Sequence, residues 1–558
     1  MKIHLSQINT SVGDIEGNSQ KIIAEARKAD TKNCDLVVFC EMSLTGYPCE
    51  DLWQKQHFLQ ATEDKVKEIC EITKSLKCAI LLGAPTIFIN KYKNRIVNNS
   101  AILIEQGKVI AVINKKTIPN YGVFDEKRYF EASSHLSQLE FRGFKLAILV
   151  CEDIWDLRNL YLLQEKNFDA IISINSSPYV TNKHQQRLEI ANNFATSLKK
   201  PFIYINQVGG QDSLVFDGGS FVLNDLGETV LQMNYFCEDK AEIILQKDAT
   251  QTDVTTVGKN SSNINYKDNI ATSYNAVTLA LRDYVQKSGF KKVLLGMSGG
   301  IDSALVATIA VDALGCDNVM LYALPSRYSS DESMNDATTC AKNLGVKLQV
   351  VSIEKPFEVM LSTLGEVYTE KQTLPQLTQE NLQSRLRGNI LMALSNSYNA
   401  LLLSTGNKSE LATGYATIYG DMCGAFNPIK DFYKTEIYQL ANWRNINNVA
   451  ISEPCNAAPI PQNIITKAPT AELRFNQKDS DSLPEYDVLD KILFALIDKE
   501  KSISEVTKEG FSEELINKVA KLIHFSEYKR RQAVIGCKVS NMSFDKDRRY
   551  PINNKFLL

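Results

Sequence analysis

The sequence predicts an α/β protein of two domains. The first packs two sheets with helices outside them, and the second is a doubly wound parallel sheet. Three observations predict this. Apolar, β-branched runs alternate with amphipathic helical stretches over most of the 558 residues. Hairpin turns interrupt that alternation in the first half, whereas the second half is strictly βαβα. A polar, Thr- and Asn-rich stretch without period, residues 248–269, lies between them and reads as a linker joining domains at 1–247 and 270–558.

The elements follow in order. KIHLSQIN, DLVVFCE, CAILLGAPTI, FKLAILVCE, FDAIISIN and PFIYINQ read as buried strands of the first domain. SAILIEQGKVIAVINKK turns at Gln106-Gly107, and SFVLNDLGETVLQMN turns at Asp225-Leu226-Gly227. Amphipathic helices such as NSQKIIAEARKAD fall between strands. So many strands suit two sheets better than one. After the linker, ATSYNAVTLALRDYVQKSG is a helix stopped by Gly289. KKVLLGM, NVMLYALP, LQVVSI and NALLLSTG are strands, separated by helices such as DSALVATIAVDALG and ESMNDATTCAKNLG. Apolar strands at this rhythm form a parallel sheet whose ligands bind at the strands' carboxyl ends. The C-terminal stretch reads as mostly helical.

Composition narrows the function. The chain is 44% hydrophobic and 23% charged with net charge −3, so no general attraction to nucleic acid is expected. The basic run Lys529-Arg530-Arg531 is either a solvated helix end or a contact to an anionic ligand. Twelve cysteines are scattered without C-x-x-C pairs or zinc spacing, which suits reduced thiols in the cytoplasm. The N-terminus lacks the apolar core of a signal peptide, and no run is long enough to span a membrane.

GMSGGIDS, residues 296–303, fits two motifs. Gly296-x-Ser298-x-Gly300 is the spacing of a serine-hydrolase elbow. That reading needs a downstream histidine, and His524 is the one such residue after Ser298. Ser298-Gly299-Gly300-x-Asp302-Ser303 is also a pyrophosphate-gripping loop, in which every residue has a task. Gly299 and Gly300 let phosphate oxygens approach the backbone. Amides at the start of the following helix face the anion. Ser298 and Ser303 add hydroxyl donors, and Asp302 offers a carboxylate where phosphate-bound Mg²⁺ would sit. A bare glycine turn is the structural alternative. No Walker-type G-x-x-x-x-G-K-[ST] is present.

Downstream, STGNKSELATGYATIYGDMCGAFNPIKDFYKTEIY begins at a strand end, so Thr405 is placed to meet a nucleotide. Glu410 can join Asp302 on a metal, and Lys434 can neutralise phosphate charge; a solvated helix face is the bland reading of both. Residues 465–490, with Pro469, Pro484 and many polar residues, read as a loop.

The 296–303 loop resembles that of the N-type ATP pyrophosphatases, which adenylate a substrate and release pyrophosphate. The resemblance implies an adenine nucleotide alpha hydrolase-like fold with ATP and Mg²⁺ as ligands. The 404–438 segment resembles the signature of NAD⁺ synthetases, as do QENLQSRLRGNILMALSN and EYKRRQAVIGCKVS. That likeness covers nearly all of 270–550. It implies that Gly296 belongs with the ATP loop and that Asn381, Arg385, Glu410 and Lys529 serve deamido-NAD. It also implies that 465–490 is a mobile loop over the site, with Thr470 where serine is common.

In the first domain Glu41, Lys115 and Cys151 each stand just past a strand. An acid, a cation and a thiol at one sheet edge suit thioester chemistry: a base for the thiol, and a cation for the tetrahedral oxyanion. Singly, each has a bland reading as a cap, a surface pair with Lys116, or a core cysteine. CEMSLTGYPCEDL, KKTIPNYGVFDEKRYF and ILVCEDIW resemble nitrilase-type amidohydrolases of the variety fused to NAD⁺ synthetase. The resemblance covers about residues 1–260 and implies an αββα nitrilase-like sandwich. By it the catalytic residues are Glu41, Lys115 and Cys151, with Glu126 orienting the site and Tyr121, Ser177 and Lys183 holding glutamine. Ile118 replaces the commoner leucine of one motif.

Together the resemblances imply a homo-oligomeric ligase taking glutamine, ATP and deamido-NAD, with neither nucleic acid nor membrane as partner. Another glutamine-dependent adenylating amidotransferase and a non-catalytic nucleotide sensor are the alternative readings.

Overall fold

The computed structural model describes residues 1–89, 92–93, 95–248, 251–258, 264–367, 374–449, 458–475, 477, 479–481 and 483–556. The chain forms two compact units, Met1–Lys267 and Asp268–Leu558.

The first unit is an αββα sandwich. One sheet has seven strands in the order Thr252–Val257, Asp239–Lys247, Lys2–Gln7, Leu36–Val38, Ala79–Ile89, Arg95–Glu105, Lys108–Asn114. The other has six, in the order Thr229–Gln232, Phe221–Leu223, Phe202–Asn206, Ala170–Asn175, Phe144–Val150, Gln138–Phe141. Strand side chains alternate between faces, and the sequence uses both. Ile148 and Val150 join Leu5, Val38, Leu81 and Leu103 in the layer between the sheets. Ala147 and Leu149 point the other way, against Leu160, Leu163 and Phe194 of the helices Leu157–Gln164 and Lys183–Leu198. Ile22 and Ile69, of the helices Ile15–Thr31 and Gln56–Thr73, cover Val37, Ile80 and Leu82 on the opposite side. The Gln106-Gly107 turn has φ of 47° and 79°, the left-handed pair a two-residue hairpin needs.

The 248–269 stretch is not wholly linker. Thr252–Val257 is a strand, paired antiparallel with Asp239–Lys247 at the sheet's edge. Its Thr and Val residues suit a pleated edge, with Thr252 and Val254 buried and Asp253 exposed. Residues 249–250 and 259–263 of the stretch lie outside the described residues.

The second unit is built on a parallel sheet in the order Leu348–Val350, Val319–Ala323, Val293–Gly296, Leu401–Leu402. Chain order reverses between the last two strands, the switch point where such sheets bind ligands. Leu294, Tyr322, Ala400 and Leu402 share one core there. The helices Ile301–Leu314, Asp331–Asn343 and Gln376–Tyr398 flank the sheet, and Asn269–Lys287 packs on Ile301–Leu314. The helices Tyr486–Ile497 and Glu513–Phe525 pack on Leu411 and Ala412, and helix gives way to irregular chain after Glu527–Arg530. Among the described residues no helix is long and apolar enough to cross a membrane, and the cysteines are free thiols.

Candidate functional site

Each unit carries its own constellation. In the first, Glu41, Lys115, Cys151 and Ser176 all follow the ends of strands. Parallel and twice-reversed strands bring those ends to one edge. Lys115 is wholly buried; its Nζ donates to Glu41 Oε1 at 2.8 Å and to both oxygens of Glu126 at 2.9 and 3.0 Å. Glu41 is held from other sides too. Asn99 Nδ2 donates to its Oε1 at 2.7 Å, and the Ser176 amide to its Oε2 at 2.8 Å. Tyr47 donates to Glu126 Oε1 at 2.8 Å.

Cys151 begins a short 3₁₀ turn with φ of 44°, a left-handed conformation unusual for a side chain with a Cβ. Asp153 clamps that turn. Its carboxylate accepts the amides of Val150 at 2.9 Å, Thr117 at 2.7 Å and Lys116 at 3.0 Å, tying the thiol's turn to the segment after Lys115. Burial and the charge of Glu41 push the Cys151 thiol well above its ordinary pKa, against the pull of Lys115. Burial opposes the charge of Lys115, but Glu126 and Glu41 outweigh it and hold its pKa high. Burial pushes Glu126 up, with Lys115 opposing and Glu41 reinforcing. The resting thiol is therefore protonated, and a base must take its proton before it attacks carbon.

Around this core, Tyr121 donates to Glu152 at 2.9 and 3.1 Å. Burial raises Glu152 to about 7, with Lys183 among the groups opposing. Lys183 Nζ lies 3.6 Å from the centre of the Trp155 ring. Ser177 is buried, its amide donating to Asn206 Oδ1 at 3.0 Å and its Oγ accepting from Arg187 Nε at 3.1 Å. Sequence reasoning missed Glu152, Asp153 and Arg187. The first two stand beside Cys151 in CEDIW; nothing local marks Arg187.

In the second unit the Val293–Gly296 strand runs into the 296–303 loop, and Gly300 caps the Ile301–Leu314 helix. Gly299 has φ of 82°, and a Cβ there would lie 2.2 Å from the Ser333 carbonyl oxygen, so only glycine fits. Ser298 Oγ lies 3.0 Å from Ser303 Oγ and accepts the Gly300 amide at 3.2 Å. Among the described hydrogen bonds Ser298 has no histidine partner, so the hydrolase reading finds no base.

This loop lines a cavity of about 320 Å³ together with Thr405, Glu410, Lys434 and Asp479. Lys434 pairs with Asp302 and lies 3.8 Å from Glu410 Oε1. Asn407 Nδ2 donates to Asp302 Oδ1 at 3.0 Å, and Asn407 forms a capping box with Glu410. Burial and then Asp302 push Glu410 up to about 8, against Lys434. Burial opposes the charge of Lys434, but Asp302 and Glu410 hold its pKa high.

Asn381, Arg385 and Lys529 converge on the chain between Gly414 and Asp421. Thr417 donates to Asn381 at 2.9 Å, Arg385 donates to the Ile418 carbonyl at 3.2 Å, and Lys529 donates to the Gly414 and Ala416 carbonyls at 2.7 Å. The neighbouring Arg387 lines the cavity, with Nε donating to the Leu324 carbonyl at 3.0 Å; burial lowers it to about 10. Arg530 is buried against Glu527, so the basic run is only partly a solvated end. The stretch 465–490 contributes Lys467, Pro469, Thr470 and Glu472 to the cavity wall. Glu472 accepts from Ser330 at 2.8 Å and Ser333 at 2.7 Å. Residues 476, 478 and 482 of that stretch lie outside the described residues.

Residues 2–255 match the Carbon-nitrogen hydrolase family, and residues 273–533 match the NAD synthase family. The chain is 41% identical over 559 residues to the glutamine-dependent NAD(+) synthetase of Acinetobacter baylyi, covering 99% of this chain and 98% of that one. It is 39% identical to the enzyme of the same name from Thermotoga maritima, covering 100% and 99%. The solved structure of the Acinetobacter baumannii glutamine-dependent NAD+ synthetase in complex with ADP superposes with a TM-score of 0.75 at 38% identity, covering 99% and 98%. With both family matches side by side in one chain and likeness over its whole length, the chain belongs to the glutamine-dependent NAD(+) synthetase family.

Proposed function

We infer that the chain makes NAD⁺ from deamido-NAD, ATP and glutamine, with one half-reaction in each unit. It is a ligase that forms a carbon–nitrogen bond with glutamine as the amide donor. The observation that carries the division of labour is the buried Lys115, pinned between Glu41 and Glu126 beside the Cys151 thiol.

In the first unit Glu41 takes the Cys151 proton as Sγ attacks the side-chain amide carbon of glutamine. The Lys115 ammonium faces the developing oxyanion. The C–N bond breaks, Glu41 returns the proton to the leaving nitrogen, and ammonia departs from a thioester. Water, activated by the same carboxylate, hydrolyses the thioester to glutamate. Glu152 with Tyr121 offers an anionic contact and Lys183 a cationic one, and Ser177 adds a hydroxyl. These match the ammonium and carboxylate of a free amino acid.

In the second unit the 296–303 loop holds the ATP phosphates, using the Gly299 and Gly300 backbone and the Ser298 and Ser303 hydroxyls. Lys434 offsets phosphate charge as the deamido-NAD carboxylate displaces pyrophosphate. Ammonia then attacks the acyl adenylate and AMP leaves. A magnesium ion fits this site: Asp302 and Glu410 are two oxygen donors lining the cavity beside the phosphate loop, and burial first, then the charge of Asp302, raises Glu410, a cost that a cation between them would lower. Asp302 and Glu410 would hold it, and it would supply charge neutralisation to the phosphates. Asn381, Arg385 and Lys529 support deamido-NAD binding through the 414–421 segment they brace.

The test is NAD⁺ formation with glutamine, ATP and deamido-NAD, each omitted in turn; product formed without any one of them would overturn the assignment. We extend the reading to a homo-oligomer in the cytoplasm, which light scattering and cell fractionation test.

A further inference from the structure

Arg187 is a buried guanidinium that none of the catalytic steps uses. Its Nη1 donates to both oxygens of Asp217 at 2.8 Å. Its Nη2 donates to the carbonyls of Ser177 and Pro178, each at 2.9 Å. Its Nε donates to Ser177 Oγ at 3.1 Å. A guanidinium has no acceptor, so the serine hydroxyl must accept there and turn its own proton elsewhere. That orientation makes Ser177 a donor, the form that suits a carboxylate.

Asp217 is fixed in turn. Its Oδ2 accepts from the Tyr266 hydroxyl at 2.7 Å. The Tyr266 ring is packed 4.4 Å from the His184 ring and 4.5 Å from the Tyr235 ring, centre to centre. Tyr266 stands two residues before Asp268, the first residue of the second unit. The strand-end serine is thus latched to the last residues of its own unit by one continuous train of charge-assisted bonds, buried at Arg187 and part-buried at Tyr266.

We propose that Tyr266 and Asp217 are positioning residues for glutamine, acting through Arg187 to hold the Ser177 hydroxyl as a donor to the substrate's α-carboxylate. This rests on the reading that Ser177 touches glutamine. Removing the Tyr266 hydroxyl leaves Asp217 with one fewer donor and frees the Arg187–Asp217 pair to shift. Because Ser177 contacts a part of the substrate remote from the scissile amide, the effect falls on KM and not on kcat.

The experiment compares Tyr266→Phe, Ser177→Ala and the double variant in full-length enzyme. Measurements are steady-state kinetics with glutamine and with ammonium, and thermal midpoints. Tyr266→Phe is expected to raise the glutamine KM roughly five- to tenfold, the scale of one ordinary hydrogen bond, because Ser177 itself stays in place, with ammonium-supported synthesis unchanged. The double variant is expected to be no worse than Ser177→Ala, because both changes disable one contact. A Tyr266→Phe enzyme with wild-type glutamine KM, or a double variant whose defects multiply, would overturn the relay alone. A Ser177→Ala enzyme with wild-type glutamine KM would overturn the reading of Ser177 and the relay with it. Asp217→Asn, which keeps the shape and weakens the pair, is expected to reproduce the KM defect should Tyr266→Phe fold poorly.

Discussion

Lys115 donates to both carboxylate oxygens of Glu126, at 2.9 and 3.0 Å, with the two side chains buried. Glu126 thereby takes up part of a charge that would otherwise fall wholly on Glu41. Replacing it with Gln leaves Lys115 to Glu41 alone, which weakens Glu41 as a base. Glu126→Gln is expected to lower glutamine-dependent kcat by about 10²–10⁴-fold, the range spanned by general-base contributions, while ammonium-supported synthesis stays intact. Loss of both activities in a folded protein would contradict this role.

Cys151 separates the two half-reactions more sharply. Its thiol is the nucleophile for glutamine and has no part in adenylation. Cys151→Ala is expected to abolish glutamine use and to leave NAD⁺ synthesis from high ammonium near wild type. Parallel assays with the two nitrogen donors check it.

Much of this was legible in the sequence, for a physical reason. Glu41, Lys115 and Cys151 each follow an apolar strand, and strand ends gather at one edge of a sheet. Thr252–Val257 was harder, because a Thr-rich edge strand lacks the apolar run of a buried one. Arg385 and Arg387 show a different limit. They are two residues apart on one helix and so face different ways, and only the packing of that helix puts Arg387 on the cavity wall. Arg187 pairs with Asp217, and Asp153 takes the Lys116 and Thr117 amides; these partners are distant in sequence, and no local pattern records them.

Glu152 gives a pH prediction. Burial raises it to about 7, so it passes from neutral acid to carboxylate across physiological pH. If the carboxylate receives the ammonium of glutamine, kcat/KM for glutamine rises with pH along a limb near 7. Glu152→Gln is expected to remove that limb and lower affinity. The stability term has the opposite sign. Burial also raises Asp153, to about 6. Both folded values exceed the unfolded ones, so this contribution is full below about pH 4 and is lost as pH rises toward 7. Urea midpoints across that window should fall with pH, and less steeply in Glu152→Gln.

Gly299 tests the phosphate loop without touching a functional group. An alanine there meets both a φ of 82° and the Ser333 carbonyl at 2.2 Å, so the turn must open. Gly299→Ala is expected to abolish synthesis from either nitrogen donor while glutamate release from glutamine persists. Calorimetry should find ATP binding lost. Retained ATP affinity would mean that the loop is not the phosphate site.

Ser298 distinguishes the two motifs that overlap at the loop. As a phosphate ligand it contributes one hydroxyl among several donors, and Ser303 and the loop amides remain when it is removed. Ser298→Ala is therefore expected to lower ATP-dependent turnover by roughly ten- to a hundredfold, the scale of one hydrogen bond to a charged oxygen, and not to abolish it. As a nucleophile it would be indispensable, and its loss would end the reaction. Its hydroxyl lies against Ser303 and the Gly300 amide, and neither can take its proton as a base. A fluorophosphonate probe is expected to leave Ser298 unlabelled, and covalent labelling at that position would reverse the assignment.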